Sequence, residues 1–199
     1  IWDEMLTVFD NLIEKNKRIT KMQEQIAEHP EDEDLLKRYD QLAYDFEQEG
    51  GFTYQAEIKS ILNGFNFKEN TWQKVIGTLS GGEKTRLAFV KLLLQKPPVL
   101  LLDEPTNYLD LDTLDWLEAF LKNYQGAIIT VSHDQYFLDH LANQIFGLNF
   151  GKLITFKGNY SQYVKERELM NNQQEAAYEK QQEKIKKENL NTKKKKKTL

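Results

Sequence analysis

The sequence predicts an α/β fold, and three observations support this prediction. Two short apolar runs, Val99–Leu102 and Ala127–Val131, have the length of buried parallel strands and each is followed by polar residues. A helical pattern separates the two runs, as in a β-α-β unit. Long helical patterns lie before residue 50 and after residue 160. We therefore expect a parallel sheet with a helical insertion on one side and a helical extension on the other.

The composition restricts the class of protein. Of the 199 residues, 40% are hydrophobic and 29% are charged, and the mean hydropathy is −0.67. No apolar run approaches the roughly 18 residues of a membrane span, and the first residues do not have the pattern of a signal peptide. There is no cysteine, so disulfides and thiolate metal sites are excluded. These features predict a cytoplasmic protein with no membrane partner.

Charge is distributed unevenly along the chain. The net charge is −4, but residues 170–199 hold nine lysines and four glutamates, which leaves −9 for residues 1–169. The lysines include the run Lys193–Lys197. An acidic body with a basic end predicts that any nucleic-acid contact is confined to that end.

Two helical patterns before residue 50 have narrow apolar seams. In residues 4–28 the apolar residues recur seven apart, and a second helix is predicted over 33–48 with a 4-3-4 spacing. A short acidic turn around Pro30 joins them. We therefore predict an antiparallel helical hairpin over residues 4–49, followed by a short helix that Thr53 caps.

A serine and a glycine pair precede the next helical pattern, in the segment Leu79-Ser80-Gly81-Gly82-Glu83. Glycine leaves backbone N–H groups bare, and the serine hydroxyl can point in the same direction. The positive end of the helix dipole lies at the same place. This segment therefore predicts a helix start that binds phosphate.

Acidic residues and a histidine follow the two predicted strands. Asp103 and Glu104 end the first strand, and His133 comes two residues after the second. Ligands of parallel α/β sheets bind at the carboxyl ends of the strands. Either Asp110 or Asp112 is expected to cap the helix between the strands, and a hairpin is predicted at residues 144–156.

The order and spacing of these motifs resemble the ABC-F family, the cytosolic twin-cassette ATPases without membrane domains that act on ribosomes. The resemblance is sharpest at Glu104-Pro105-Thr106-Asn107-Tyr108-Leu109-Asp110 and extends to residues 79–88, 132–138 and 158–163. Two positions depart from the family pattern, since Tyr108 stands where the family usually has histidine and Gln135 where it usually has arginine.

The resemblance implies a particular organisation. The chain looks like the C-terminal part of a P-loop NTPase cassette of the ABC type, with an inserted α-helical hairpin and a C-terminal helical linker. Residues 4–49 would be the arm-like hairpin, 50–160 the signature, Walker B and switch-histidine part, and 161–199 the basic linker. It would be the first of two cassettes, cut before its P-loop side and ending inside the interdomain linker.

The resemblance also implies cofactors, partners and roles. The cofactors would be ATP and Mg²⁺, and the partners would be the second cassette of the same protein and the ribosome, whose rRNA or tRNA the hairpin and linker would contact. Asp103 would hold Mg²⁺ through water, Glu104 would be the general base, and His133 would hold the γ-phosphate and the attacking water. The residues implied to meet nucleotide are Ser80, Gly81, Gly82, Glu83 and Asp110.

The sequence contains no acceptable P-loop. The nearest segment, Gly77–Thr85, has one residue more than G-x-x-x-x-G-K-[ST] and places the acid Glu83 where the backbone should meet phosphate. Only Val75 and Ile76 precede it, too few for a buried strand. The ATPase reaction is therefore expected of the family member, and this chain alone is expected to be inactive.

Three other interpretations remain. The chain could be the C-terminal lobe of a chromosome-maintenance or DNA-repair ATPase, but its seams are short and its Pro105–Asp110 and Gly158–Ser161 motifs disfavour this. It could be a transporter cassette, which would lack the lysine-rich linker. It could also be a non-catalytic RNA- or ribosome-binding module, which the intact Asp103, Glu104 and His133 disfavour.

Overall fold

The computed structural model describes residues 1–107, 109–149 and 151–196. The departure from the family pattern at Tyr108, the centre of the predicted turn at Phe150 and the end of the lysine run at Lys197 lie outside the described residues. Residues Ile1–Val131 form one compact unit and Ser132–Leu199 a second. Across the described ranges, no helix combines the length and the apolar character needed to cross a membrane.

The first unit contains six helices and a pair of strands within its described residues. In chain order they are α1 (Trp2–Leu6), α2 (Asp10–Glu28), α3 (Glu33–Gln48), α4 (Tyr54–Gly64), α5 (Gly81–Leu94), β1 (Val99–Asp103), α6 (Leu111–Lys122) and β2 (Ala127–Val131). Short 3₁₀ turns lie at Thr7–Phe9, Glu69–Thr71 and Ile76–Thr78.

Helices α2 and α3 form the predicted hairpin. Leu12, Ile19 and Phe46 are buried between them, and Phe9, Tyr39, Leu42 and Tyr54 pack around this cluster. The second helix has the predicted bounds, but the first is not continuous from residue 4. The Thr7 hydroxyl donates to the Glu4 carbonyl (2.7 Å), and such local bonds compete with the helical ladder. The chain therefore passes through a 3₁₀ turn at Thr7–Phe9 before α2 begins.

The prediction that the Thr53 side chain caps α4 is wrong. Thr53 occupies the N-cap position, but its side chain accepts no hydrogen bond from the helix. Its hydroxyl instead donates to the carbonyl of Gly50 (3.1 Å). Gly50 has a φ of +84°, which turns its carbonyl toward the hydroxyl and closes the bend after α3.

Strands β1 and β2 pair in parallel, as predicted, with Val99 opposite Ala127 and Asp103 opposite Val131. Burial differs from the prediction, because only one face of the pair is covered. Leu100 and Leu102 are buried, whereas Leu101 is 69% exposed and Ile129 is 52% exposed. Side chains alternate across a sheet, so this exposed row forms one continuous apolar face.

Helices α4, α5 and α6 share a core built around Phe65. This ring is fully buried and meets Phe89 of α5 edge-to-face at 5.3 Å and Trp116 of α6 at 5.7 Å. Trp116 also stacks on Phe120, with 5.2 Å between the ring centroids. Aromatic pairs of this geometry contribute about 0.5–1.5 kcal/mol each beyond their buried area. The cluster holds α5 against α6.

The second unit contains two helices and an antiparallel hairpin within its described residues. They are α7 (Gln135–Leu141), β3 (Gln144–Asn149), β4 (Lys152–Lys157) and α8 (Tyr160–Lys196). The strand hairpin confirms the prediction, and Phe156 packs edge-to-face on Tyr163 of α8 at 4.9 Å. Helix α8 confirms the helical pattern predicted after residue 160, and neither glycine nor proline interrupts it.

We predict that Gly64→Ala destabilises the first unit. A Cβ at residue 64 would lie 2.2 Å from the Trp116 ring, which Phe65 and Phe120 hold in place. Overpacking of this kind costs about 1–3 kcal/mol, measurable as a lower urea midpoint. Gly77→Ala is the matched control, since nothing lies within 4 Å of its added Cβ. Equal midpoints for the two variants would contradict the prediction.

Candidate functional site

Asp103 and Glu104 lie where β1 ends. Asp103 is the last residue of the strand and is exposed. The Glu104 amide donates to the Val131 carbonyl (2.8 Å), which extends the parallel ladder by one residue. Glu104 then turns away with a φ of +47°, a conformation that costs a non-glycine residue about 1–3 kcal/mol and recurs at functional sites. The pairing of β1 with β2 therefore fixes the backbone position of Asp103 and Glu104.

The turn after Glu104 leads directly into α6. The Asn107 amide donates to the Glu104 carbonyl (3.1 Å), and Leu109 donates to Thr106 (3.3 Å). The N-cap of α6 is Asp110 and not Asp112. The Asp110 carboxylate accepts a hydrogen bond from the Thr113 amide (2.9 Å). Hydrogen bonds from the Thr113 amide and hydroxyl lower the pKa of Asp110 below its ordinary value of 3.8. Its carboxylate is thus engaged in holding the start of α6.

The predicted phosphate-binding segment forms the start of α5. Ser80 is the N-cap, and Glu83 completes a reciprocal capping box with it. The Glu83 carboxylate accepts from the Ser80 amide (2.8 Å) and from the Ser80 hydroxyl (2.7 Å). The hydroxyl in turn accepts from the Glu83 amide (3.3 Å). These bonds from Ser80 lower the pKa of Glu83 below 4.5.

The two glycines at this helix start face open space. A Cβ built on Gly81 or Gly82 would have no heavy atom within 4 Å. Their N–H groups belong to the first turn of a helix, so they have no carbonyl of the helix to bond. The segment therefore offers unhindered backbone donors beside the Ser80 hydroxyl, as the sequence predicts.

Arg86 connects two of these regions, and sequence reasoning missed it. Its positive charge helps to lower the pKa of both Glu83 and Asp110, although hydrogen bonds are the larger cause for each. The side chain of Asn66, a residue with a φ of +62°, also helps to lower the pKa of Asp110. The position of Arg86 three residues after Glu83, on the same helix face, was an available signal. The positive charge of Arg86 thus acts both on the start of α5 and on Asp110.

His133 belongs to the second unit and precedes α7. On one side, the Ser132 hydroxyl accepts from the Asp134 amide (3.0 Å). On the other, Asp134 caps α7 by accepting from the Phe137 amide (3.1 Å). The His133 side chain is exposed within this braced turn. Its backbone is therefore held by hydrogen bonds on both sides.

A groove of the first unit lies away from these residues. It encloses roughly 750 Å³ at the amino ends of β1 and β2, where Pro98 and Ala127 line it together with Trp116 and Tyr124. Ligands of parallel sheets bind at the opposite, carboxyl ends. We therefore assign the chemistry to the edge that carries Asp103 and Glu104, not to this groove.

The carboxylates suit a magnesium site in which the protein supplies few of the metal ligands. Within the described ranges, no three His, Asp or Glu side chains converge to hold a metal ion. Mg²⁺ typically keeps several waters and takes one or two carboxylates together with substrate phosphates. A single exposed carboxylate at the strand end, Asp103, suits that role.

A sequence profile of a family described as ABC transporter matches residues 3–107, and a second profile with the same description matches residues 146–197.

Three relatives illustrate the similarity. The putative ATP-binding protein YdiF of Bacillus subtilis is 45% identical over 159 residues, which cover 80% of this chain and 25% of the relative. ABC transporter F family member 5 of Arabidopsis thaliana is 36% identical over 187 residues, or 92% of this chain and 27% of the relative. The energy-dependent translational throttle protein EttA of Haemophilus influenzae is 45% identical over 117 residues, or 59% and 21%. The chain spans about a quarter of the length of these relatives.

Proposed function

The chain belongs to the ABC-F ATPases, a branch of the ATP-binding cassette family, and from that premise we propose that it forms part of an enzyme that hydrolyses ATP to act on the ribosome. The observation that carries the proposal is the placement of Glu104. The ladder bond to Val131 and the left-handed turn hold the backbone of Glu104 just beyond the strand end, from which its side chain departs. Placement within reach of the proton that it accepts is the first requirement of a general base.

The proposed reaction is an in-line attack of water on the γ-phosphorus of ATP. The water oxygen forms the new P–O bond, its proton passes to the Glu104 carboxylate, and the bond to the β-γ bridging oxygen breaks to release ADP. Asp103 would hold Mg²⁺ through water; this ion would supply charge neutralisation for the phosphates. His133 would donate to the γ-phosphate, and the braced turn around it would limit its movement.

The start of α5 is proposed to serve a different ATP from the one that Glu104 serves. Ser80, Gly81 and Gly82 would grip the γ-phosphate of nucleotide bound to the second cassette, because their donors lie open at a helix N-terminus. Asp110 would support that interface indirectly, since its carboxylate is already engaged by Thr113. The second cassette of the same protein is therefore a required partner.

Translation is the proposed process, and the cytoplasm the proposed location. The name of the relative EttA describes a translational throttle. The last turn of helix α8 carries Lys193, Lys194, Lys195 and Lys196, and the hairpin of α2 and α3 buries its apolar seam between its own two helices. We propose that the basic end contacts rRNA or tRNA phosphate, while the hairpin reaches another part of the ribosome.

Glu104→Gln tests the base. In the full-length protein that contains this chain, the amide keeps the shape of the side chain but accepts no proton, so ATP should bind and persist. We expect single-turnover hydrolysis to fall roughly 10²–10⁴-fold. Glu69→Gln, in an exposed 3₁₀ turn of the same unit, is the control for the loss of one charge. Hydrolysis by Glu104→Gln at the unchanged rate would remove Glu104 from this role.

The lysine run gives a second prediction. If Lys193–Lys197 bind phosphate, replacing all five by glutamine should flatten the log–log salt dependence of ribosome binding by roughly 0.7–0.9 for each phosphate that is no longer neutralised. Replacement of the same five by arginine keeps the charge and should keep the slope. An unchanged slope in the glutamine variant would mean that these lysines are only solvated.

The chain by itself should bind no Mg·ATP in the micromolar range. P-loop amides and the P-loop lysine normally hold the phosphates, and this sequence has no such motif. Asp103 and Glu104 would repel free ATP. Isothermal titration of residues 1–199 with Mg·ATP is the measurement, with the full-length protein as the positive control. Saturable micromolar binding by the chain would reveal a phosphate site that lies outside this proposal.

A further inference from the structure

Helix α8 begins with a cap that its own residues form. The Gln162 amide donates to the side-chain oxygen of Asn159 (3.1 Å), and the Asn159 amide donates to the side-chain oxygen of Gln162 (3.3 Å). Gly158 precedes this pair at a φ of +130°, and a Cβ there would collide with the Gln162 side chain. The reciprocal pair satisfies two backbone amides at the helix start without help from another element.

One further amide of this helix start bonds a different helix. The Ser161 amide donates to Asp139 Oδ1 (2.6 Å), a carboxylate of α7 that lies 22 positions earlier in the chain. Just after α7, the Asn143 carbonyl accepts from the Gly158 amide (2.9 Å). Since α8 already has its own cap, the bond to Asp139 serves to attach the start of α8 to α7.

The other end of α7 carries the turn of His133. Asp134 caps α7 by accepting from the Phe137 amide (3.1 Å), and the Phe137 ring is fully buried. The helix has seven residues, so it is about 10 Å long. A short helix that is capped and anchored by a buried ring moves as one body, and such rigid elements can carry coupling between two places. The turn of His133 and the Asp139 carboxylate thus lie on one rigid element.

We infer that Asp139 is a positioning residue that couples the turn of His133 to the start of α8. Because its carboxylate holds α8 on α7, a nucleotide that orders the His133 turn also orders the first turn of α8. The inference rests on the proposed function in one respect, namely that His133 meets the γ-phosphate. It goes beyond that function because it assigns the residue through which α8 responds to ATP.

A purely stabilising role for Asp139 makes a different prediction. Helix α8 has a second anchor, since Tyr163 packs edge-to-face on Phe156 of β4 at 4.9 Å. Loss of the Asp139 carboxylate should therefore leave α8 attached to the strand hairpin. If Asp139 only stabilises the fold, Asp139→Ala should lower the melting temperature and leave the response of α8 to nucleotide intact. If Asp139 couples the two places, the response at the start of α8 should be lost while the response at the His133 turn remains.

The first measurement is hydrogen–deuterium exchange of the Ser161 amide in the full-length protein that contains this chain, resolved to single residues. A hydrogen bond to a charged group changes an equilibrium by about tenfold at the weaker end of its range. We therefore expect this amide to exchange about tenfold faster in Asp139→Ala. Asp139→Asn keeps an oxygen acceptor and should restore most of the protection. Asp40→Ala, at an exposed position of α3, is the matched control.

The second measurement compares exchange with and without a nonhydrolysable ATP analogue, which makes the result independent of the role of Glu104. In the parent and in Asp139→Asn, the analogue should slow exchange at residues 132–134 and at residues 159–162. In Asp139→Ala it should slow exchange at residues 132–134 only. Ser161→Pro removes the donor from the other side of the bond, and proline is tolerated in the first turn of a helix. This variant should lose the same response.

Three results would overturn the inference. The first is an unchanged exchange rate of the Ser161 amide in Asp139→Ala. The second is a nucleotide response at residues 159–162 that survives in Asp139→Ala or in Ser161→Pro. The third is a parent protein without any response at residues 159–162. If the parent also lacks a response at residues 132–134, the assignment of His133 fails together with the inference, whereas turnover of Glu104→Gln decides the assignment of the base separately.

Discussion

The parallel pairing of β1 with β2 is the interaction on which the catalytic geometry depends. It brings Asp103 level with Val131 and continues for one more bond, from the Glu104 amide to the Val131 carbonyl. That last bond is what allows the chain to leave the strand in a left-handed conformation at a fixed point. A one-residue slip of this register would reverse the faces of every strand side chain and move both carboxylates. The pairing thus specifies the position of the proposed base.

A second constraint, the aromatic cluster around Phe65, joins α5 to α6, the helix that follows the turn after Glu104. Phe65 follows α4 and touches both Phe89 and Trp116, so α5 and α6 are held by one buried ring. The charge of Arg86 also reaches both Asp110 and Glu83, where it helps to lower the pKa of each carboxyl. The start of α5 and the turn before α6, to which we assign different proposed roles, thus belong to one packed unit.

Several sequence predictions failed where side chains had a choice of partner. Thr53 was expected to cap α4, but its hydroxyl donates to the carbonyl of Gly50. The first helix was expected to be continuous, but Thr7 bonds back to Glu4. The run Val99–Leu102 was expected to be a buried strand, whereas Leu101 is exposed. The composition of a strand indicates which side chains could be buried. Which of them are buried depends on the elements that pack against each face of the sheet.

The sequence by itself determined the family and the α/β class, both of which the family profile confirms, together with the strand pair, the hairpin helices and the helix that starts at Ser80. These depend on local periodicity and on motifs in which each residue acts on near neighbours, so the chain carries them without reference to distant contacts. Only the tertiary structure decided that Asp110 and not Asp112 caps α6, that Phe65 holds α5 and α6 together, and that Leu101 and Ile129 lie on an exposed face. Each of these outcomes depends on which groups the packing brings together, and periodicity along the chain does not specify that.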